Sequence, residues 1–238
     1  MTAHADPLDP QNASPVLWGP DLSGPPSVVL FDLDGTLTAS GPGILASVRY
    51  ALTELDRPIP PPSALDTFIG PPLLDSFREV CGMDDTQAQE AIAAYRVYYG
   101  HSGQFENSVY AGIPEALGAL QDAGCVLAVA TSKAEPYARS ILDHFGLSQS
   151  FAEIVGSELD GRRTLKADVI AEVLRRLDRP ADSAVMIGDR SHDVLGATAT
   201  GMPCLGALWG YGSAAELTSA GAAQLVDTPA DLVTALLA

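Results

Sequence analysis

Short, continuous apolar runs recur along the chain. The first occupies residues 28–31 and reads Val-Val-Leu-Phe. A run of this length without polar alternation predicts a central strand of a parallel sheet, buried on both faces. Further runs lie at residues 126–130, 152–155, 184–187 and 203–206, and a weaker one lies near 224–226.

Stretches with helical periodicity separate these runs, so strand and helix alternate along most of the chain. The predicted helices cover residues 113–123, 136–145, 166–177, 191–200, 214–220 and 229–237. This order predicts an α/β fold, a Rossmann-like doubly wound parallel sheet with helices on both faces. Ligands of such sheets bind beyond the carboxyl ends of the strands, so functional residues are expected there.

Residues 40–108 break the alternation, because no convincing strand lies among them. Helices are predicted near 44–55, 72–80 and 85–99, with a proline cluster at 58–62 between the first two. An all-helical insertion of this size between two strands predicts an inserted cap domain, called the lid below. Its hinges are predicted at residues 41–43 and 108–112.

The predicted domains are therefore three. A tail at residues 1–26, rich in proline, aspartate, serine and glycine, is expected to be mobile. Residues 27–39 and 109–238 form the α/β core domain, and residues 40–108 form the lid.

Charge and cysteine content limit the partners and the compartment. The formal net charge of −17 repels nucleic acid and anionic lipid, so neither is expected as a partner. No apolar stretch approaches the roughly 20 residues that a membrane span needs, and the N-terminus lacks a signal-peptide pattern. The three cysteines have no CxxC spacing. These features predict a cytoplasmic protein, with monomer and homodimer both open.

Two aspartates follow the first predicted strand. Asp32 comes directly after it, and Asp34 lies two residues on, where strand geometry directs both side chains to one side. Gly35 permits a sharp turn and a close approach of the backbone to a ligand. Two neighbouring carboxylates attract a divalent cation and can divide the roles of nucleophile and proton donor. The same spacing also fits a simple capped turn.

A second acidic pair follows the strand at 184–187. Asp189 is expected at the carboxyl end of that strand, beside Asp32, and Asp193 lies one helical turn further on. Taken alone, this pair could instead cap a helix and favour its dipole. Together with the first pair it predicts a shared Mg²⁺ site with oxygen ligands.

Hydroxyl and ammonium groups supply the hydrogen-bond donors and the positive charge of the predicted site. Thr131, Ser132 and Lys133 are expected in a strand-to-helix turn, which suits a phosphoryl oxygen. The chain has two lysines, Lys133 and Lys166, against eleven arginines, and both fall near predicted site residues. An ammonium beside carboxylates can neutralise a phosphate.

With these residues, the chain resembles the haloacid dehalogenase (HAD) superfamily. The four motifs of that superfamily match, in order and spacing, Asp32-x-Asp34-Gly35-Thr36, Thr131, Lys166 and Gly188-Asp189-x-x-x-Asp193. The helical insert is similar to the superfamily's type 1 cap. The segments Thr131-Ser132-Lys133 and Trp209-Gly210-Tyr211-Gly212 are typical of its phosphoglycolate phosphatase-like subgroup.

The resemblance implies a phosphoric monoester hydrolase that cleaves a small-molecule phosphate, such as phosphoglycolate, a nucleotide or a sugar phosphate. It implies catalytic roles for Asp32, as the nucleophile that forms an aspartyl-phosphate, for Asp34, as acid and base, and for Thr131 and Lys166. The implied Mg²⁺ ligands are Asp32, Asp34 through its backbone carbonyl, Asp189 and Asp193. The implied phosphate-binding residues are Gly35, Thr131, Ser132 and Lys166.

Related activities are separated by single residues. Dehalogenases of the superfamily lack the second motif aspartate, which is present here as Asp34. Phosphonatases need a lysine in the cap, and residues 40–108 contain none. A phosphotransferase acting on protein tyrosine stays open as an alternative, since some actinobacterial proteins that resemble this chain are described as tyrosine kinases.

The lid is expected to select the substrate. Candidate contacts are residues 38–44, Phe68-Ile69-Gly70 and the arginines Arg49, Arg78 and Arg96, which could equally be solvated and paired with lid glutamates. Lys133 either supports the phosphate site or pairs with a surface carboxylate. His192 is interpreted as an exposed helix residue.

Overall fold

The computed structural model describes residues 26–238. The predicted N-terminal tail lies outside this range, apart from Pro26. Within it, six strands form one parallel sheet in the order β3-β2-β1-β4-β5-β6. The strands are β1 (Val28–Phe31), β2 (Val126–Ala134), β3 (Glu153–Ser157), β4 (Ala184–Gly188), β5 (Cys204–Ala207) and β6 (Gln224–Val226).

Ten α-helices accompany these strands in the described residues. Four belong to the insertion: α1 (Gly41–Glu54), α2 (Pro62–Leu65), α3 (Leu73–Cys81) and α4 (Asp85–His101). The others are α5 (Ile113–Asp122), α6 (Glu135–His144), α7 (Lys166–Leu177), α8 (Ser191–Thr200), α9 (Ala214–Ala220) and α10 (Pro229–Leu237). The predicted bounds of α7 to α10 are confirmed.

Strand β1 shows why the sheet is covered on both faces. Val29 and Phe31 pack into a hydrophobic cluster with α5, α6 and α10. Val28 and Leu30 point to the opposite face and pack with α7, α8 and α9. All four side chains are fully buried, as expected for a strand whose alternate residues serve two cores. The predicted doubly wound α/β fold is confirmed.

One local prediction was wrong. The segment 131–133, expected in a turn, continues β2, because Ala134 pairs with Ser157 of β3 after an irregular stretch that begins at Ala130.

The first predicted hinge, at residues 41–43, forms the first turn of α1, where Pro42 fits because the first helical N–H groups need no partner. The two crossings between core and insertion are joined by a hydrogen bond from Ala39 N to Ser108 O. The hinges themselves stay predictions.

The inserted helices have a hydrophobic cluster of their own. It is built from α1, α3, α4 and the segment between α2 and α3, and it includes the edge-to-face pair Phe68 and Phe77. Asp84 and Gln87 close a capping box at the start of α4. Tyr137 of α6 packs against this cluster from the core side. Among residues 26–238, no helix has both the length and the apolarity to cross a bilayer.

Candidate active site

The site forms where β1 and β4, which are neighbours in the sheet, both end. Asp32 follows β1 and donates its backbone N–H to Ile187 O of β4 at 2.9 Å. Asp189 follows β4, and Asp193 stands in the first turn of α8. One carboxylate oxygen from each of Asp32, Asp189 and Asp193 lies within 4.8 Å of the other two. The structure therefore brings Asp32 of the first predicted pair together with both members of the second pair, whereas the Asp34 carboxylate is not part of this cluster.

A tight turn after β1 allows this approach. Gly35 has a φ of 85°, a conformation that favours glycine, and a side chain at this position would overlap the Asp189 carboxylate. Its N–H donates to Thr38 O at 2.8 Å, which closes the turn. Thr36 donates its hydroxyl to Asp189 Oδ1 at 3.3 Å. The glycine of the first motif thus lets the backbone pass against the second acidic pair.

Asp189 is completely buried and does not cap α8. Besides Thr36, its carboxylate accepts a hydrogen bond from the backbone N–H of Tyr211 at 2.7 Å. Burial raises the pKa of Asp189 to about 8, and the nearby Asp193 and Asp32 carboxylates act in the same direction. The carboxylate of Asp193 accepts the backbone N–H of Arg190 at 3.1 Å. Burial also raises the pKa of Asp193, to about 6.

Lys166 stands between two of these carboxylates. Its ammonium lies 2.8 Å from Asp32 Oδ1 and 2.7 Å from Asp193 Oδ1, and it donates to Ala130 O at 3.0 Å. Burial would lower the pKa of Lys166, but Asp193 and Asp32 together raise it above its ordinary value. The lysine stem passes over Gly196, where a side chain would collide with it.

Thr131 and Ser132 lie on β2, beside β1. Thr131 is 1% exposed, and its hydroxyl accepts the backbone N–H of Lys133 at 3.2 Å. Ser132 lines the cavity described below. The irregular stretch of β2 leaves this segment outside regular pairing with β3.

The side chain of Lys133 is buried and contacts Asp34, so of the two alternatives left open for this lysine, pairing with a surface carboxylate does not occur. Its ammonium lies 2.8 Å from Asp34 Oδ2, and its side chain is 7% exposed. Burial would lower the pKa of Lys133, but the charge of Asp34 and its hydrogen bond raise it overall. The second oxygen of Asp34, Oδ1, is buried and has no hydrogen-bond partner among residues 26–238.

A cavity of about 410 Å³ separates the lid from the core. Asp34, Ser132 and Lys133 line its floor, and the lid wall is mainly apolar and aromatic, with contributions from Ile44, Phe68, Leu73, Ile92, Tyr95 and Tyr99. Of the predicted lid arginines, only Arg96 lines the cavity, and it donates to Leu159 O at 3.2 Å. Arg78 instead pairs with Asp85 at 3.2 Å, and Arg49 is exposed.

Several contacts were not assigned from the sequence. Arg190 donates to Ile69 O of the lid and pairs with Glu216 at 3.0 Å, so it connects the acidic cluster to the predicted contact segment at 68–70. Trp209 donates its indole N–H to Thr36 O at 2.9 Å, and Tyr211 accepts the backbone N–H of Gly41 at 2.7 Å. His192 is exposed, as predicted.

The acidic cluster fits a divalent cation. Three buried carboxylates converge within one ligand shell, and hard oxygen donors are the ligands that Mg²⁺ and Ca²⁺ prefer. Burial first, and the neighbouring carboxylates second, raise the pKa values of Asp189 and Asp193, and a bound cation would oppose both effects. Lys166 supplies a single positive charge against the three carboxylates.

Comparisons with known proteins agree with this geometry. The family model described as haloacid dehalogenase-like hydrolase matches residues 29–207. A 5'-nucleotidase of Pseudomonas aeruginosa is 47% identical over 189 residues, which cover 79% of this chain and 86% of that protein. The tyrosine-protein kinase PtkA of Mycobacterium tuberculosis is also 47% identical over 189 residues, but this chain spans only 64% of its length.

Among solved structures, a predicted phosphatase from Clostridium acetobutylicum is similar, with a TM-score of 0.85 and 45% identity over 88% of this chain and 97% of that one. Fold, motif geometry and relatives therefore agree. The chain belongs to the haloacid dehalogenase-like hydrolase family, and it is an enzyme of the predicted class, a phosphoric monoester hydrolase.

Proposed function

We propose that this protein is a Mg²⁺-dependent phosphatase that hydrolyses a small-molecule phosphate monoester through an aspartyl-phosphate on Asp32. The observation that carries the proposal is the position of Asp32. Its carboxylate is held by Lys166 at 2.8 Å and lies within one ligand shell of Asp189 and Asp193. A nucleophile for an anionic phosphate needs positive charge beside it, and these residues are arranged to provide it.

In this reaction Asp32 attacks phosphorus in line with the leaving oxygen. Lys166 holds one carboxylate oxygen of Asp32 and orients the other toward the substrate. The Thr131 hydroxyl, which can donate because it only accepts a hydrogen bond from Lys133 N, and Ser132 bind the oxygens of the transferring phosphoryl group. These contacts act mainly by positioning and by stabilising charge, which dominate the catalysis of phosphoryl transfer.

Asp34 serves as general acid and then as general base. It protonates the leaving oxygen of the substrate, and it later takes a proton from the water that attacks the aspartyl-phosphate. Within residues 26–238, the buried Oδ1 of Asp34 has no hydrogen-bond partner, which supports this role because the oxygen is not committed to another contact.

Asp32, Asp189, Asp193 and the backbone carbonyl of Asp34 would hold the Mg²⁺. When bound, the ion offsets the repulsion between an anionic nucleophile and an anionic phosphate. Asp193 also contacts Lys166 at 2.7 Å, so it orients that lysine as well.

The insertion at 40–108 acts as a cap domain that closes the site and contacts the leaving group. Its aromatic wall and the cavity of about 410 Å³ suit a neutral group of the size of a nucleoside or sugar. Arg96 is the lid arginine available to an anionic group, because Arg78 is already paired with Asp85. The name of the Pseudomonas relative supports a nucleoside monophosphate among the substrates. We expect the enzyme to act in the cytoplasm.

The similarity to PtkA gives a second candidate, transfer of phosphate to protein tyrosine. Asp32 would again carry the phosphoryl group, and a tyrosine hydroxyl would replace water as its acceptor. The sequence has no glycine-rich nucleotide loop of the P-loop or protein-kinase kind, which favours hydrolysis.

Phosphate release from a panel of phosphate monoesters, with Mg²⁺ and with EDTA, tests the proposal. We expect turnover that requires the metal and that is abolished in Asp32→Asn. Turnover that persists in EDTA or in Asp32→Asn would contradict it. A parallel incubation with ATP and a tyrosine peptide tests the second candidate, which requires peptide phosphorylation that is lost in Asp32→Asn.

A further inference from the structure

Three side chains link the lid to the proposed acid in a continuous chain. Tyr99 lies on α4 of the lid, Lys133 lies near the end of β2, and Asp34 lies in the turn after β1. The ammonium of Lys133 donates to the Tyr99 hydroxyl at 2.5 Å and lies 2.8 Å from Asp34 Oδ2. One ammonium group is therefore shared between the lid and the catalytic floor.

The three hydrogen-bonded side chains are largely buried, so losing one of their contacts is costly. Tyr99 is 2% exposed, and the side chains of Lys133 and Asp34 are 7% and 12% exposed. A buried charged donor that loses a partner cannot readily replace it with water, so the loss costs more than the bond itself contributes. The Tyr99 hydroxyl therefore biases Lys133 toward the pose in which it also holds Asp34.

Aromatic packing decides where the Tyr99 hydroxyl lies. Its ring stacks on Tyr95 at 5.2 Å and meets the edge of Tyr137 at 5.3 Å. Tyr95 belongs to the lid, whereas Tyr137 belongs to α6 of the core. The hydroxyl can reach Lys133 only while α4 is packed against α6, which makes the contact depend on the closed position of the lid.

The effect on Asp34 is to separate its two oxygens. Lys133 fixes Oδ2, and Oδ1 has no hydrogen-bond partner in the part of the chain that the structure describes. A carboxylate anchored by one oxygen keeps the other in a fixed direction, as proton transfer requires. Oδ1 is itself buried, so a leaving oxygen would have to pack directly against it.

We propose that Tyr99 is a positioning residue that acts through Lys133 to orient Asp34 when the lid is closed. The proposal rests on the proposed function, since it assumes that Asp34 protonates the leaving oxygen. Tyr99 touches neither the phosphoryl group nor the metal site, so its effect reaches the reaction only through the pose of the acid.

This role predicts a dependence on the leaving group. An ester of an acidic phenol departs without much help from a proton donor, whereas an ester of a weakly acidic phenol needs one. Aryl phosphates that differ only in a ring substituent therefore separate loss of the acid from general loss of binding or structure.

The test compares Tyr99→Phe with the wild-type enzyme on p-nitrophenyl, p-chlorophenyl and phenyl phosphate. Phenylalanine keeps the aromatic packing and removes the oxygen that Lys133 contacts. We expect kcat/KM to fall within about threefold for p-nitrophenyl phosphate and by about tenfold or more for phenyl phosphate, mainly in kcat. An equal fall on all three esters, or no fall, would overturn the proposal.

Tyr98→Phe is the matched control. Tyr98 is the adjacent residue of α4 and also loses a hydrogen bond, from its hydroxyl to Glu106 at 2.6 Å, but it does not line the cavity. We expect the three esters to respond equally to this substitution, within about twofold.

A double-mutant cycle tests whether Tyr99 acts through Lys133. Lys133→Met removes the shared ammonium and should itself steepen the dependence on the leaving group at least as much as Tyr99→Phe does. Added to Lys133→Met, Tyr99→Phe should then have no further effect on that dependence. Additive effects of the two substitutions would overturn the proposal that Tyr99 acts through Lys133. If thermal melting shows that Tyr99→Phe does not fold, the effect of Lys133→Met on the leaving-group dependence decides the proposal.

Failure of this inference differs from failure of the proposed function. If the wild-type enzyme hydrolyses the aryl phosphates and Asp32→Asn does not, the function stands whatever Tyr99 does. A wild-type enzyme without phosphatase activity would instead remove the basis of both.

Discussion

The catalytic floor and the lid wall of the cavity are built in different ways. We count with the floor, besides the cavity-lining Asp34, Ser132 and Lys133, the proposed catalytic and metal-binding residues at strand ends and helix starts. These are Asp32, Thr131, Lys166, Asp189 and Asp193, and all are at most 7% exposed. On the lid wall, Arg96 is exposed and has one hydrogen bond, to a loop carbonyl, and Asp75 and Gln89 are the other polar side chains among mainly aromatic and aliphatic ones. We thus propose that buried groups carry out the chemistry and that the lid wall, which can change without disturbing them, selects the substrate.

The largest effect is expected from Asp32→Asn. The amide can keep the hydrogen bond from Lys166 to Oδ1, but it cannot act as a nucleophile toward phosphorus. We expect kcat to fall by about 10⁴-fold or more, with the melting temperature changed by only a few degrees. Phosphate release and thermal melting measure the two, and a variant that keeps a tenth of the activity would break the assignment of the floor.

Lys166→Met should be the next most severe change, and it should also reduce stability. It leaves the buried carboxylates of Asp32 and Asp193 without their ammonium partner. Breaking a buried charge pair in this way costs about 3–5 kcal/mol, and we expect kcat to fall about 10³-fold. Urea unfolding gives the free energy of unfolding. If Lys166→Met unfolded with the same free energy as the wild type, the ion pairs of Lys166 with Asp32 and Asp193 would not stabilise the fold as proposed.

Asp189→Asn should affect the metal more than the fold. Burial raises the pKa of Asp189 to about 8 from an ordinary 3.8, so the metal-free folded protein holds a proton that the unfolded chain releases. Its stability should therefore fall as the pH rises from about 4 to about 8. Asp189→Asn should weaken this pH dependence and also reduce the stabilisation by Mg²⁺.

Melting curves of both proteins across this pH range, with EDTA and with Mg²⁺, measure these effects. For the wild type, a metal concentration of 100 times its Kd should add about 2.7 kcal/mol. A variant that Mg²⁺ stabilises as strongly as the wild type would argue against Asp189 as a ligand.

Much of the floor was predictable because its signals are local. Asp32 and Asp189 each follow a buried strand, and Lys166 opens a helix. The sheet then brings them together through the pairing of β1 with β4. The spacing of the residues along the chain and the topology of the sheet were sufficient for this part.

The contacts of the lid were not predictable in the same way. Tyr99 reaches Lys133 over 34 positions, and Arg190 reaches Ile69 over 121, through packing that no local pattern specifies. The extension of β2 through Thr131 likewise depends on pairing with Ser157 of β3. The two lysines were singled out by their scarcity, but the partner of Lys133 became clear only from the structure.

The smallest effects are expected on the lid wall. Arg96→Ala should raise KM for an anionic substrate by about fivefold with little change in kcat, because Arg96 lines the cavity but does not touch the floor residues. Arg78→Ala, in which a surface pair with Asp85 is lost, is the control and should stay within about twofold. If kcat of Arg96→Ala fell by a larger factor than its KM rose, the proposed division of roles between lid and floor would be contradicted.

The central claim is that Asp32 becomes phosphorylated. Rapid quenching during turnover of a radiolabelled phosphate ester, followed by borohydride reduction and peptide mapping, tests it directly. The account predicts a labelled, acid-stable and base-labile intermediate, with Asp32 the residue that borohydride converts to homoserine. Turnover with no labelled enzyme, or with the label on another residue, would contradict it.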